Sequence, residues 1–127
     1  MIRSSMKKSE SLKKNKDFQN VYRTGVSFAN RLLVMYVKEN KTETNRIGIS
    51  VSKKVGNSVI RHHLTRLIRE SYRLQEDMFN SGLDIVVIVR VAAKTAKYKE
   101  IESALLHLGR LHKIINNDSF SLKEKME

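Results

Sequence analysis

Residues 84–90 read DIVVIVR, and this run restricts the fold more than any other stretch of the chain. Ile85, Val86, Val87, Ile88 and Val89 are aliphatic and β-branched, which suits an extended backbone better than a helix. Apolar and polar residues do not alternate along it. The run predicts a strand buried on both faces, often a parallel one. Three other segments read as strands. VSFANRLLVMYVKEN (26–40) predicts a short strand over Val26–Ala29 and a longer one over Arg31–Lys38. In the longer one Leu33, Met35 and Val37 share a face, and Leu32, Val34 and Tyr36 share the other. The polar ENKTETN that follows reads as a hairpin connection. RIGISVS (46–52) then alternates, with Ile47, Ile49 and Val51 set against Arg46, Gly48, Ser50 and Ser52. This second face is small and polar, so no packed helix is expected over it. Beside aromatic side chains, such a face suits a flat ligand such as a nucleobase.

Three segments carry helical periodicity. Asn15 is expected to cap a helix over about Lys16–Thr24, with Asp17 in its first turn and Gly25 as its stop. Phe18, Val21 and Tyr22 are its apolar residues, at i, i+3 and i+4. Gly56 frees the backbone of the turn SKKVGN, and Asn57 or Ser58 caps a second helix ending near Gln75. Ile60, Leu64, Leu67, Ile68 and Ser71 fall on its inner side. A third helix is expected from Tyr98 to about Ile115, with Ile101, Ala104, Leu105, Leu108, Leu111 and Ile115 inward. The 127 residues suit one domain. Residues 1–11 are expected to form a flexible basic arm, 12–115 the folded part and 116–127 a polar tail. The order α-β-β-β-α-β-α makes this an α/β (α+β) sandwich, with helices against one sheet.

Charge narrows the partner. Lys+Arg outnumber Asp+Glu by 25 to 13, for a net charge of +12. Residues 1–25 and 51–75 hold +10 of that surplus, so the rest of the chain is nearly neutral. Segregated positive charge favours a polyanion. On the second helix His62, Arg66, Arg69 and Arg73 follow i, i+4, i+7 and i+11, with Arg61 beside them. They form a cationic ridge opposite the apolar side, and Glu70 is the only acid within residues 55–73. Solvated helix faces usually mix both signs at i, i+4 spacing, so this ridge reads as a phosphate-binding surface. Phe18, Tyr22 and Tyr36 are open to two readings, core packing or base stacking. His62 and His63 are adjacent and point about 100° apart, a poor pair for one metal. Asp17, Glu70 and Asp84 are scattered, with no carboxylate cluster for metal-assisted hydrolysis. Cysteine is absent, which excludes disulfides and thiol chemistry. No apolar run reaches the roughly 20 residues of a membrane span, and the polar start lacks a signal-peptide core. A cytoplasmic protein is expected.

Three stretches together resemble the protein subunit of bacterial ribonuclease P, the ribonucleoprotein that trims the 5′ leader from precursor tRNA. They are LKKNKDFQNVYRTG (12–25), SFANRLLVMYV (27–37) and RIGISVSKKVGNSVIRHHLTRLIRES (46–71). The likeness spans about residues 12–115, and SVSKKVGNSV before an arginine-rich helix is its most specific part. The family's usual helix reads arginine-asparagine-arginine, then lysine-arginine two residues later. Here Arg61 is followed by His62 and His63, and Thr65 precedes Arg66, so two cations are lost or weakened. Arg69 and Arg73 are placed to offset them.

The resemblance implies a ribosomal protein S5 domain 2-like fold: a two-layer sandwich on a mixed four-stranded sheet. It also implies a left-handed β-α-β crossover through residues 47–52, 58–75 and 84–90, against the usual right-handed rule. It implies that Lys53, Lys54, Asn57, Arg61, His62, Arg66, Arg69 and Arg73 bind the catalytic RNA subunit. It implies that Phe18, Tyr22, Tyr36, Arg46, Ser50 and Lys53 line a cleft for the single-stranded leader of precursor tRNA. Catalysis would belong to the RNA, with magnesium bound mainly by the RNA; the protein, expected to be a monomer, would hold no cofactor or catalytic residue. The rival readings are a generic RNA-binding module, such as a ribosomal protein or RNA chaperone, and a stand-alone nuclease, which the lack of clustered acids disfavours.

Overall fold

The computed structural model describes residues 9–116. In chain order they form β1 (Glu10–Ser11), α1 (Asn15–Thr24), β2 (Val26–Ala29), β3 (Leu33–Glu39), β4 (Arg46–Ser50), α2 (Ser58–Leu74), β5 (Leu83–Val89) and α3 (Tyr98–Leu111). Short 3-10 turns at Glu76–Met78 and Val91–Thr95 flank β5. The strands make one mixed sheet in the order β1-β4-β5-β3-β2. The DIVVIVR run is thus the middle strand, parallel to β4 and antiparallel to β3. Five of its seven strand positions, from Leu83 to Val87, are buried in succession, as the unbroken aliphatic run requires. The expected four strands are present, and the two-residue β1 adds a fifth along the outer edge of β4. Glu10 and Ser11, read from sequence as part of a loose arm, are therefore paired. Residues 1–8 of that arm and 117–127 of the tail lie outside the described residues.

The two faces of the sheet are covered differently. Leu33, Met35 and Val37 of β3, Ile47 of β4, and Ile85, Val87 and Val89 of β5 meet Leu64, Ile68 and Tyr72 of α2 and Ile101, Leu105 and Leu108 of α3. This is the main core, and each fully buried aliphatic side chain in it contributes about 1.5–3 kcal/mol. Truncating Leu64, which is fully buried, costs about 2–5 kcal/mol. The other face carries α1 in a smaller cluster of Leu12, Val21 and Val86, with Phe18, Tyr22, Tyr36 and Ile88 packed around it.

Several local expectations are corrected. The second face of β4 is not bare: Gly48 is buried, and a methyl group there would come 2.6 Å from the Phe18 ring. Absence of a side chain at Gly48 is what lets the aromatic ring lie over the strand. Asn15 is the first residue of α1, and Lys14 stands at the cap without a side-chain bond. Gly25 ends α1 by close approach rather than by a left-handed turn, because a Cβ would lie 2.7 Å from the Val21 carbonyl oxygen and 3.0 Å from that of Val37. Arg31 is outside the strand: the Asn30 side chain accepts hydrogen bonds from the Leu32 and Leu33 amides and turns the chain there. α3 stops at Leu111, which is exposed, because Lys113 takes a φ of 60° and reverses the chain. Ile115 is buried as expected, but it gets there by the reversal, against Phe79 in an isolated bridge.

Candidate nucleic-acid interface

The cationic ridge is built by α2. Asn57 starts the helix, its side-chain oxygen accepting a 3.0 Å bond from the Ile60 amide. Leu64, Ile68, Ser71 and Tyr72 bury the opposite side. His62, His63, Arg66, Arg69 and Arg73 are left exposed, and Arg61 is half-buried with its Nε donating to the Gly56 carbonyl at 3.2 Å. Arg73 pairs with Glu70 at 2.7 Å, which partly offsets its charge; the pair is exposed and worth no more than about 1 kcal/mol. Arg69 donates to the Ser11 hydroxyl at 3.2 Å, which ties α2 to β1. Among the described residues no carboxylate pairs with Lys53, Lys54, Arg61, Arg66 or Arg69. Their positive charge is free to meet an anion.

The aromatic residues gather on the other side of the sheet. Tyr22 and Tyr36 meet edge to face with centroids 5.1 Å apart, and Phe18 lies 6.4 Å from Tyr22. All three are half-buried, so each packs on one side and offers ring surface on another. Burial raises the Tyr22 phenol above its ordinary pKa, although the Ser50 side chain at the end of β4 acts to lower it. Strand register lays three rows across this face. Gly48, Val86 and Tyr36 form the middle row, under α1. Ser50, Ile88 and Val34, all half-buried, form the next and leave an open floor. Beyond it Lys54, Arg31 and Arg90 border a groove of about 520 Å³ at the carboxyl ends of β4 and β5. Arg31 and Arg90 were read from sequence only as strand termini; the structure sets both just outside the strands, where they meet at this groove.

Arg46 stands at the opposite end, in the third row, and it is not free. Its Nε and Nη2 donate to the two oxygens of Asp84 at 2.9 and 2.6 Å, and Nη1 lies 3.5 Å from Asp17 of α1. Asn40 also donates to Asp84, at 3.0 Å. Burial pushes the Asp84 carboxyl up, but the bonds from Arg46 and Asn40 outweigh it and hold the group below its ordinary value. The bond to Asp84 raises the Arg46 guanidinium further still.

Of the expected site residues, Phe18, Tyr22, Tyr36, Ser50 and Arg46 therefore share one face, and Asn57, Arg61, His62, Arg66, Arg69 and Arg73 share another. Lys53 and Lys54 lie in the exposed turn that links them. Among the described residues no three acids or histidines come together as a metal site, and no helix is long and apolar enough to cross a membrane.

An α+β domain with a cationic crossover helix on one side and a half-exposed aromatic cluster on the other defines the class. A family model described as Ribonuclease P matches residues 6–113. The ribonuclease P protein component of Lachnoclostridium phytofermentans is 62% identical over 109 residues, covering 86% of this chain and 94% of that protein. The corresponding protein of Alkaliphilus metalliredigens is 54% identical over 111 residues, 87% of this chain and 100% of its own. Among solved structures, the Staphylococcus aureus RNase P protein superposes with a TM-score of 0.79 at 41% identity, covering 86% of this chain and 100% of that one. The Thermotoga maritima RNase P protein gives 0.74 at 30% identity, over 80% and 96%. This chain belongs to the ribonuclease P protein family.

Proposed function

We propose that this chain is the protein subunit of a ribonuclease P ribonucleoprotein, with its α2 ridge on the catalytic RNA subunit and its aromatic face on the 5′ leader of precursor tRNA. The observation that carries this is the separation of chemistries. Among the described residues, cations without a carboxylate partner lie on one side of the sheet, stacking surfaces lie on the other, and Lys53 and Lys54 join them. Phosphates need the first, and unpaired bases need the second. Lys53, Lys54, Asn57, Arg61, His62, Arg66, Arg69 and Arg73 contact the RNA subunit. Phe18, Tyr22, Tyr36, Ser50 and Lys53 contact the leader, while Arg46, paired with Asp84, stands at the far end of that face. Hydrolysis is assigned to the RNA, with magnesium bound mainly by the RNA; the protein positions substrate and steadies the active RNA fold. It acts in the cytoplasm and is a monomer when free.

Reconstitution at low magnesium tests this. The protein should restore leader removal by the RNA subunit and tighten binding of leader-bearing tRNA over mature tRNA. Equal stimulation of unrelated structured RNAs, with no preference for the leader, would favour a generic RNA chaperone. The RNA-free protein should not cleave precursor tRNA. This control matters because one solved Staphylococcus aureus relative, 42% identical over 83% of this chain, is a mutant with defective mRNA degradation activity.

A further inference from the structure

The leader face has a charge polarity along the strands. At one end Lys53, Lys54, Arg31 and Arg90 surround the carboxyl ends of β4 and β5, and among the described residues none of them is in an ion pair. At the other end register sets Glu10, Arg46, Asp84 and Lys38 side by side on four adjacent strands, alternating in sign. Asp17 reaches the same row from α1. Arg46 is the natural phosphate ligand of this row, yet Asp84 takes its Nε–Nη2 edge and Asp17 faces Nη1. The two contacts differ in kind. Asp84 is buried and close, whereas the Asp17 contact is long, at 3.5 Å, and partly exposed. Counting Asp17, the row holds three carboxylates against two cations. It stands four residues, roughly 13 Å, along β4 from Ser50. That is about one and a half Debye lengths at physiological salt, but the Gly48–Val86–Tyr36 row beside Tyr22 lies only two residues, about 7 Å, from it, so a strand running past Tyr22 comes within reach of this row's charge.

We propose that Asp17, supported by Glu10, sets the far limit of the leader site. It occupies the edge of Arg46 that a phosphate would otherwise take, and its negative charge keeps the strand over the Ser50 row. The specificity is for length: nucleotides that fit between the lysine turn and the Arg46 row add affinity, and those beyond it add none. The proposal rests on the leader reading given above.

The test is a leader-length series, from no leader to about ten nucleotides, bound by the reconstituted holoenzyme. Wild-type affinity should rise over the first nucleotides and then level off. Asp17→Asn should shift the plateau to longer leaders and tighten binding there several-fold, with short leaders bound within about twofold of wild type. With Nη1 of Arg46 released from Asp17, the salt dependence for the longest leaders should steepen by about one phosphate, roughly 0.7 in log–log slope for a single strand. Glu10→Gln should move the plateau in the same direction without touching α1, so it decides the matter if Asp17→Asn folds poorly. An unmoved plateau in both variants overturns the proposal. Affinity lowered equally at every length also overturns it, by showing that Asp17 only holds α1. A wild-type protein that gains nothing from any leader defeats the leader reading itself and the proposal with it.

Discussion

Phe18 lies at the point where packing and recognition compete, and replacing it by leucine separates them. The ring covers Gly48 so closely that no Cβ fits between, and it packs on the Leu12, Val21 and Val86 cluster. It is also half-exposed beside Tyr22. Phe18→Ala would empty the space over Gly48. For a fully buried ring the cost is about 3–5 kcal/mol, so about 2 kcal/mol is expected for a half-buried one. For a domain of this size that lowers the melting temperature by about 8 °C, enough to obscure any binding effect. Leucine keeps most of the volume and costs less than about 1.5 kcal/mol. It has no π-face, and base–aromatic stacking is worth about 1–3 kcal/mol per base. Phe18→Leu should therefore weaken the holoenzyme's binding of leader-bearing precursor tRNA by about five- to 150-fold. Mature tRNA binding and assembly with the RNA subunit should stay within about twofold. Thermal melting and leader-length-dependent binding can be read on the same preparation. Leader affinity unchanged in Phe18→Leu, together with a large melting loss in Phe18→Ala, would refute the reasoning and return the ring to the core.

Alanine at Arg66 and Arg69 together should weaken binding to the RNA subunit and reduce the log–log salt slope by about 0.7–0.9 for each phosphate no longer neutralised. Folding stability should change by less than about 1 kcal/mol, since both residues are exposed and Arg69 gives up only its bond to Ser11; a large melting shift with an unchanged slope would show the ridge to be structural. His112 donates to the Met35 carbonyl at 2.9 Å and meets the Phe28 ring edge-on, and burial lowers its pKa despite that bond. The unfolded chain then binds more protons than the folded one below about pH 6.5, so stability should fall as pH drops through that value, and His112→Gln should flatten the dependence in a melting series.

The regular elements were legible because their periodicities are strong. The unbroken β-branched run marked β5 as a strand buried on both faces, and the apolar stripe of α2 separated its buried side from the ridge. Pairings between residues far apart in sequence were not legible. Nothing local to RIGISVS signals that Phe18, thirty residues before Gly48, covers that glycine. Nor does it signal that Arg46 pairs with Asp84 across a strand pairing that only the sheet order creates. The same limit hid β1, since two residues carry no period, and hid the reversal at Lys113, which left Ile115 on an apparent helix stripe. Arg46, Ser50, Phe18, Tyr22 and Tyr36 were grouped through the family resemblance, and the structure shows that one member of the group, Arg46, is held internally.

The topology explains how so short a chain carries a cationic helix face and an aromatic face on opposite sides of one sheet. β4 and β5 are parallel neighbours, so the chain must return over a sheet face between them, and α2 makes that return. Its inner side is fixed by the core, which leaves the cations of the helix pointing outward. α1 precedes β2 and covers the opposite face, where it packs on Val86 of the central strand. Among the described residues, the turn leaving β4 is the segment that runs from the floor of the aromatic face to the start of the cationic helix, and Lys53 and Lys54 sit on it. On the proposed function, an RNA held by α2 and a strand held by α1 would approach each other at these two lysines. Substitution of Lys53, proposed to contact both, should therefore not separate assembly from leader binding as substitutions at Phe18 and Arg66 are expected to.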